Sequence, residues 1–199
     1  MEVEKKRLRV AILASGSGTN AQQLIGHFKD HPLIEVCLVG CDRPGAGVLQ
    51  RAWDMGVPCY LFNGSALREG RVLKELQALD IGLVVLAGFL RLIPREMVHA
   101  FPGRIVNIHP ALLPKYGGKG MFGEHVHEAV ISAGDEKSGI TIHLVNDRYD
   151  EGEHLLQVEC PVSAGDTPEM LADRIHRLEH VHYPRVVEEL ALRIIAGHP

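Results

Sequence analysis

No stretch of this 199-residue chain is apolar over the length needed to span a membrane, and its first residues, MEVEKKRLRV, lack the apolar core and small-residue cleavage site of a secretion signal. The expectation is an unexported, cytoplasmic protein with no membrane partner. An excess of one charge is missing too: 21 Lys and Arg stand against 25 Asp and Glu, a formal net charge of -4. That balance offers no broad cationic face to a nucleic-acid backbone, so no nucleic-acid partner is expected. Cysteine is scarce. Cys37, Cys41, Cys59 and Cys160 make no C-x-x-C pair and lie mostly in apolar stretches, which argues against a zinc knuckle, a redox dithiol or a disulfide framework and predicts buried, reduced thiols. Internal repeats, low-complexity tracts and interdomain linkers are absent as well. With 46% hydrophobic residues the chain can fill one sizeable core, and residues 1–199 read as a single domain.

What is present alternates. Apolar, β-rich runs recur at Leu8 to Leu13, Ile34 to Val39, Cys59 to Phe62, Gly82 to Leu86 and Arg104 to Ile108, separated by stretches with helical spacing. This pattern predicts an α/β fold with a doubly wound, mostly parallel sheet. The unbroken apolar run from Leu83 to Ala87 suits a central strand buried on both faces. Beyond Pro110 the texture changes: Gly117, Gly118, Gly120 and Gly123 predict a mobile connection, followed by a helix from about Glu124 to Ser132. Ile140 to Val145 and Leu155 to Cys160 read as an antiparallel pair at one edge. A long C-terminal helix follows, with Thr167 as N-cap, Pro168 in its first turn and a kink near Pro184.

The first strand runs into Ala14-Ser15-Gly16-Ser17-Gly18-Thr19-Asn20-Ala21, a glycine turn leading to a helix beginning near Asn20. Such a junction presents unpaired backbone N–H groups and the positive end of a helix dipole, which suits a phosphate. The same residues satisfy G-x-G-x-x-A from Gly16 to Ala21, and Asp42 falls near the place of an acidic ribose ligand. A nicotinamide-dependent oxidoreductase is therefore an alternative reading, as is a tight turn that holds nothing. A nucleoside-triphosphate P-loop is excluded, because no G-x-x-x-x-G-K-[ST] follows.

Asn107 and His109 stand two apart in a strand, so they share one face at its C-terminal edge, where open α/β sheets bind ligands. Pro110 keeps His109 extended. An amide donor can hydrogen-bond a developing oxyanion, and an imidazole can exchange a proton near neutrality. A carboxylate near the imidazole would raise its pKa, and Asp150 is the candidate, facing the pair across a gap wide enough for two reactants. Asp147 and Glu151 compete with it on sequence alone. The same amide and imidazole serve equally well as hydrogen-bonded caps of a buried strand.

Taken together, ASGSGTN at 14–20, VVLAGFLRLI at 84–93, IVNIHPALLPKY at 105–116, the D-x-G turn at Asp150 to Gly152 and RLEHVHYP at 177–184 resemble the glycinamide ribonucleotide formyltransferases of purine biosynthesis. The resemblance runs from Val10 to about Ile194. It implies a Rossmann-like formyltransferase fold with an N-terminal phosphate-binding half, about 1–100, and a C-terminal catalytic and folate-binding half, about 101–199. It implies transfer of a formyl group from 10-formyltetrahydrofolate, without a metal, to a phosphorylated glycinamide ribonucleotide. Catalysis then falls to Asn107, His109 and Asp150, and the ribonucleotide to Gly18, Thr19, Asn20 and Glu179. The folate falls to Leu90, Arg91, Leu92, Ile93 and Asn107, with Arg68 in competition with Arg71. Small-molecule substrates are the expected partners, with a monomer or homodimer as the assembly. Another formyl-folate enzyme, a hydrolase or one with a different acceptor, shares the N-x-H-P core. Room for the additional domain of a tRNA formyltransferase or of a formyl-folate hydrolase is lacking.

Two places depart from the family pattern. The loop GGKGMFG at 117–123 is several residues longer than the common form, so no role for His125 or His127 follows from the resemblance, and both default to exposed or hydrogen-bonded histidines. Glu153-His154 replaces the usual Pro and apolar pair after the D-x-G turn. His176-Arg177-Leu178-Glu179-His180 also matches H-x-x-E-H, a zinc-protease pattern that competes weakly with a substrate role for Glu179.

Overall fold

The computed structural model describes residues 7–197. One sheet of seven strands runs β3-β2-β1-β4-β5-β6-β7. The strands are β1 (Leu8–Ala14), β2 (Ile34–Cys41), β3 (Cys59–Leu61), β4 (Leu83–Leu86), β5 (Ile105–His109), β6 (Lys137–Leu144) and β7 (His154–Pro161). The first five are parallel, and β6 and β7 add antiparallel to β5. The helices are α1 (Thr19–Phe28), α2 (Gly47–Asp54), α3 (Gly64–Arg68), α4 (Arg71–Ala78), α5 (Arg95–Ala100), α6 (Glu124–Ala133) and α7 (Pro168–Ile195). None of them is long and apolar enough to cross a membrane.

The near-continuous hydrophobicity of the strands has a direct cause. Val10, Ile12 and Ala14 of β1 pack into one core with Leu24 of α1, Leu171, Ile175 and Tyr183 of α7. Ala11 and Leu13 face the opposite core with Leu76 of α4 and Met97 of α5. With both faces covered, period-2 alternation has no polar side to show. The central place expected for Leu83 to Ala87 is met by β4, fourth of the seven strands.

The helix α7 forms as its capping residues dictate: the Thr167 hydroxyl accepts from the Met170 N–H, and Pro168 occupies the first turn, where its missing donor costs nothing. It stays one helix through Pro184. The neighbouring Tyr183, fully buried, donates its hydroxyl to the Leu86 carbonyl (2.8 Å), with the Val106 carbonyl also in reach (3.2 Å). These carbonyls lie in adjacent strands β4 and β5, so the bond fixes α7 over the strand ends that carry the site.

Two expectations need correction. Cys59 is exposed, because it sits on the three-residue edge strand β3, and Cys37 is only half-buried. The edge strand β6 begins at Lys137, three residues before Ile140, since Ser138 and Gly139 pair with β7. The substitution Glu153-His154 leaves β7 intact, with His154 registered against His143.

Candidate active site

A cavity of about 560 Å³ opens at the C-terminal ends of β1, β4 and β5, between the glycine loop, α7 and the 117–123 loop. Its size suits a small-molecule site.

At one end lie Gly16 to Asn20. Gly18 is left-handed (φ 82) and precedes α1, whose N-terminus no side chain caps. A Cβ on Gly18 would lie 2.5 Å from Val48 Cβ, whereas one on Gly16 would meet nothing within 4 Å. Gly18 is thus required by its own backbone and by packing against α2, and Gly16 leaves the open approach. Gly18→Ala is expected to lower unfolding free energy by about 2–4 kcal/mol in urea titrations, from the left-handed penalty plus overpacking. Gly16→Ala should match wild type, and equal losses in the two variants would contradict this division.

Asp42 does not lie open beside this loop. Its Oδ1 accepts from the Ser15 hydroxyl (2.6 Å) and its Oδ2 from Arg91 Nε (2.5 Å), and the side chain is 2% exposed. The reading of Asp42 as a ribose ligand is thereby corrected: both oxygens serve to tie the glycine loop to the segment after β4. Ser15 Oγ also accepts from the Leu90 N–H.

At the cavity's other end Asn107, His109 and Asp150 come together. His109 Nε2 lies 2.7 Å from the Tyr116 carbonyl, which can only accept, so this nitrogen carries hydrogen. Nδ1 then faces Asp150 Oδ2 at 3.7 Å. No gap for two reactants separates acid and ring; reactant space lies beside the pair. Asp150 is held by its backbone. It is left-handed (φ 54), its Oδ2 accepts from the Gly118 N–H, and a Cβ on Gly152 would fall 1.6 Å from the Leu144 carbonyl, which explains the glycine of the D-x-G turn. Asp147 instead pairs with Arg95, and Glu151 with Arg148. Of the three, it is Asp150 that lies beside the His109 ring.

Burial pushes the His109 pKa down, while the Asp150 charge and the Tyr116 carbonyl push it up; burial wins and the imidazole sits below its ordinary value. The carboxylate's expected upward pull is real but outweighed. Burial pushes Asp150 up, yet the neighbouring His143 imidazole, the His109 charge and the Gly118 N–H together bring it below the usual value, so it is ionised at neutral pH.

His143, which the sequence reading passed over, touches both. Its Nε2 lies 3.2 Å from Asn107 Nδ2 and 3.6 Å from Asp150 Oδ1, and Nδ1 lies 2.9 Å from the Leu144 carbonyl. The carbonyl places hydrogen on Nδ1, leaving Nε2 to accept from the Asn107 amide. The antiparallel register pairs Asn107 with His143, a juxtaposition that the 36-residue separation hides.

Glu179 and Asn20 meet across the cavity wall: Asn20 Nδ2 donates to Glu179 Oε2 at 2.8 Å. Burial raises the Glu179 pKa, against opposing influences from Asn20 and His176. His176 and His180 stack with ring centroids 6.4 Å apart. Among the described residues no group of three or more His, Cys, Asp or Glu could hold a metal. His125 is exposed, in keeping with its default, but His127 is buried, lines the cavity and has an Nδ1 without a partner, contrary to its default.

The residues expected to hold folate are dispersed. Leu90 lines the cavity; Leu92 is exposed; Ile93 is buried in the core on the other face of the sheet. Arg91 and Arg68 converge on Gly64, where a Cβ would meet their Nη1 atoms at 2.7 and 3.1 Å. Arg71 is engaged with Glu69 on the surface, so Arg68 is the one beside Arg91.

Residues 8–187 match the formyl transferase family model. The chain is 40% identical over 191 residues to a chloroplastic phosphoribosylglycinamide formyltransferase of Arabidopsis thaliana, covering 92% of this chain and 65% of that protein. It is 33% identical to the phosphoribosylglycinamide formyltransferase of Bacillus subtilis, covering 92% and 94%. It spans only 14% of a Drosophila melanogaster trifunctional purine biosynthetic protein that it matches at 36% identity. The crystal structure of glycinamide ribonucleotide transformylase 1 from Symbiobacterium toebii superposes with a TM-score of 0.85 at 36% identity, covering 93% of this chain and 88% of that one. The chain belongs to the formyl transferase family, and within it to the phosphoribosylglycinamide formyltransferases.

Proposed function

We propose that the chain transfers the formyl group of 10-formyltetrahydrofolate to the amine of N1-(5-phospho-D-ribosyl)glycinamide, giving the N-formyl product and tetrahydrofolate. The observation that carries this reading is that an uncapped helix N-terminus and an Asn-His-Asp cluster line one cavity. The backbone N–H groups of Thr19 and Asn20, beside Gly18, suit the phosphate. Glu179, oriented by Asn20, suits the sugar. Leu90 and the chain beyond it, with Arg91, Leu92 and Arg68, suit the folate; Ile93, buried, contributes there through its backbone.

Attack of the amine on the formyl carbon builds negative charge on the formyl oxygen and leaves a proton to be moved from the attacking nitrogen to the departing one. Asn107, with one amide hydrogen spent on His143, has a second to aim at that oxygen. His109, when protonated, adds positive charge and can hand a proton over. Asp150 favours that charged form.

The direct test is a spectrophotometric assay with both substrates, alongside thermal shifts. Glycinamide ribonucleotide and a folate analogue should each raise Tm while NAD(P) does not, since Asp42 is already occupied. Stabilisation by NAD(P) without formyl transfer would overturn the proposal. His143 gives a further prediction. A glutamine there retains an acceptor near the place of Nε2, and an asparagine does not; His143→Asn should lower kcat by about 10-fold or more, and His143→Gln by less. Equal losses would show that the acceptor for Asn107 is not what matters.

A further inference from the structure

His127 is the buried ionisable group that the mechanism above leaves unused. It lies on α6 with only 3% of its surface exposed, and it lines the cavity. Its Nδ1 is buried with no hydrogen-bond partner. Leaving such an atom unsatisfied costs stability, so a protein that retains one in a binding cavity has a use for it. The neighbours indicate where along the cavity it stands. The charges of His176, on the Glu179 face of α7, and of His109, at the reaction centre, both act on it. Asn20 Oδ1, in the same wall, is likewise buried without a partner.

We infer that His127 is a substrate-contacting residue, whose Nδ1 hydrogen-bonds a neutral hydroxyl or amide group of the acceptor on the stretch between its phosphate and its amine. The inference rests on the function proposed above. Burial, aided by the two histidines, depresses the His127 pKa to about 4, so the ring is neutral at working pH and suits an uncharged partner. A neutral imidazole offers either a donor or an acceptor, and sugar hydroxyls and a glycinamide amide can meet both. Apolar replacement of the ring would relieve the free protein of an unsatisfied atom and deprive the bound substrate of a contact.

The test therefore pairs stability with affinity. In the full-length protein, His127→Leu should keep or raise Tm without ligand. Calorimetric titration with glycinamide ribonucleotide alone should show Kd rising about 10- to 100-fold, as expected for one buried hydrogen bond left unmade. Binding of tetrahydrofolate should change less than about 2-fold, because the contact is not with it. Ribose 5-phosphate, which lacks the glycinamide, locates the contact: matching loss points to a hydroxyl, unchanged binding to the amide. A lowered Tm with acceptor affinity intact would make His127 a structural histidine and overturn the assignment. Wild-type protein that fails to bind glycinamide ribonucleotide would sink the proposed function, and this inference with it, whereas equal binding by wild type and variant would sink this inference alone.

Discussion

Turnover in a His109→Ala variant is expected to fall by about 10²- to 10⁴-fold in kcat, the range associated with a positioned acid–base group. The binding of either substrate should change far less, because the proposed phosphate end is built from the glycine loop and α1, and most of the proposed folate end from the chain after β4. Both ring nitrogens are engaged, Nε2 with the Tyr116 carbonyl and Nδ1 facing Asp150. Removing the ring thus takes away the proton carrier and strands a carboxylate whose side chain is 12% exposed. The second effect complicates alanine. His109→Asn separates the two, since an amide can still donate toward Asp150 but cannot carry a proton. Stability near wild type with kcat as low as that of the alanine variant is the expected result. Because His109 and Asp150 act as a unit, His109→Ala combined with Asp150→Asn should cost little more than His109→Ala alone. Turnover by His109→Asn at the wild-type rate would remove the imidazole from the chemistry.

The parts of this site that were legible in the sequence are those in which local physics leaves one answer. Leu83 to Ala87 is apolar without alternation, and only a strand covered on both faces tolerates that. Thr167-Pro168 specifies a helix start by its own hydrogen-bonding inventory. Asn107 and His109 share a face because strands have period two. What stayed hidden depends on register and on partners far along the chain. His143 stands next to last in β6, after the largely apolar Ile140 to Ile142, and that polar break was its available signal; its place opposite Asn107 emerges only when β6 pairs antiparallel with β5. The alternative that made Asp42 a ribose ligand fails for the converse reason. Its spacing from the glycine loop fitted a ribose ligand, yet Arg91, 49 residues away, claims one oxygen, and Ser15 the other. His127 could have been suspected from helical phase, since it stands between Val126 and Val130, both buried. The selection of Asp150 over Asp147 and Glu151 needed the turn itself, in which Gly152 presses against the Leu144 carbonyl.

The strongest dependence on pH should come from Asp150→Asn, and its sign reports what His109 does. In the wild type the imidazole lies below its ordinary pKa because burial outweighs the Asp150 charge and the Tyr116 carbonyl, with His143 adding to the downward side. Neutralising Asp150 deletes an upward influence and leaves burial in place, so the pKa falls further. If the working form is the imidazolium, kcat is full below the His109 pKa and declines as pH rises through it. In Asp150→Asn that decline moves to lower pH: the deficit relative to wild type opens as pH rises through the His109 pKa of the variant and then of the wild type, both below the ordinary imidazole value, and is level above them. Were neutral imidazole the working form, the acid limb would move down instead, and the variant would gain on wild type at low pH. We expect the first pattern, because charge develops on the formyl oxygen and the departing nitrogen needs a proton. Asparagine preserves shape and an acceptor for the Gly118 N–H, so the difference between profiles isolates the charge. A deficit that persists at the same size below both pKa values would mean that Asp150 holds the 117–123 loop through Gly118 and leaves the imidazole's proton untouched.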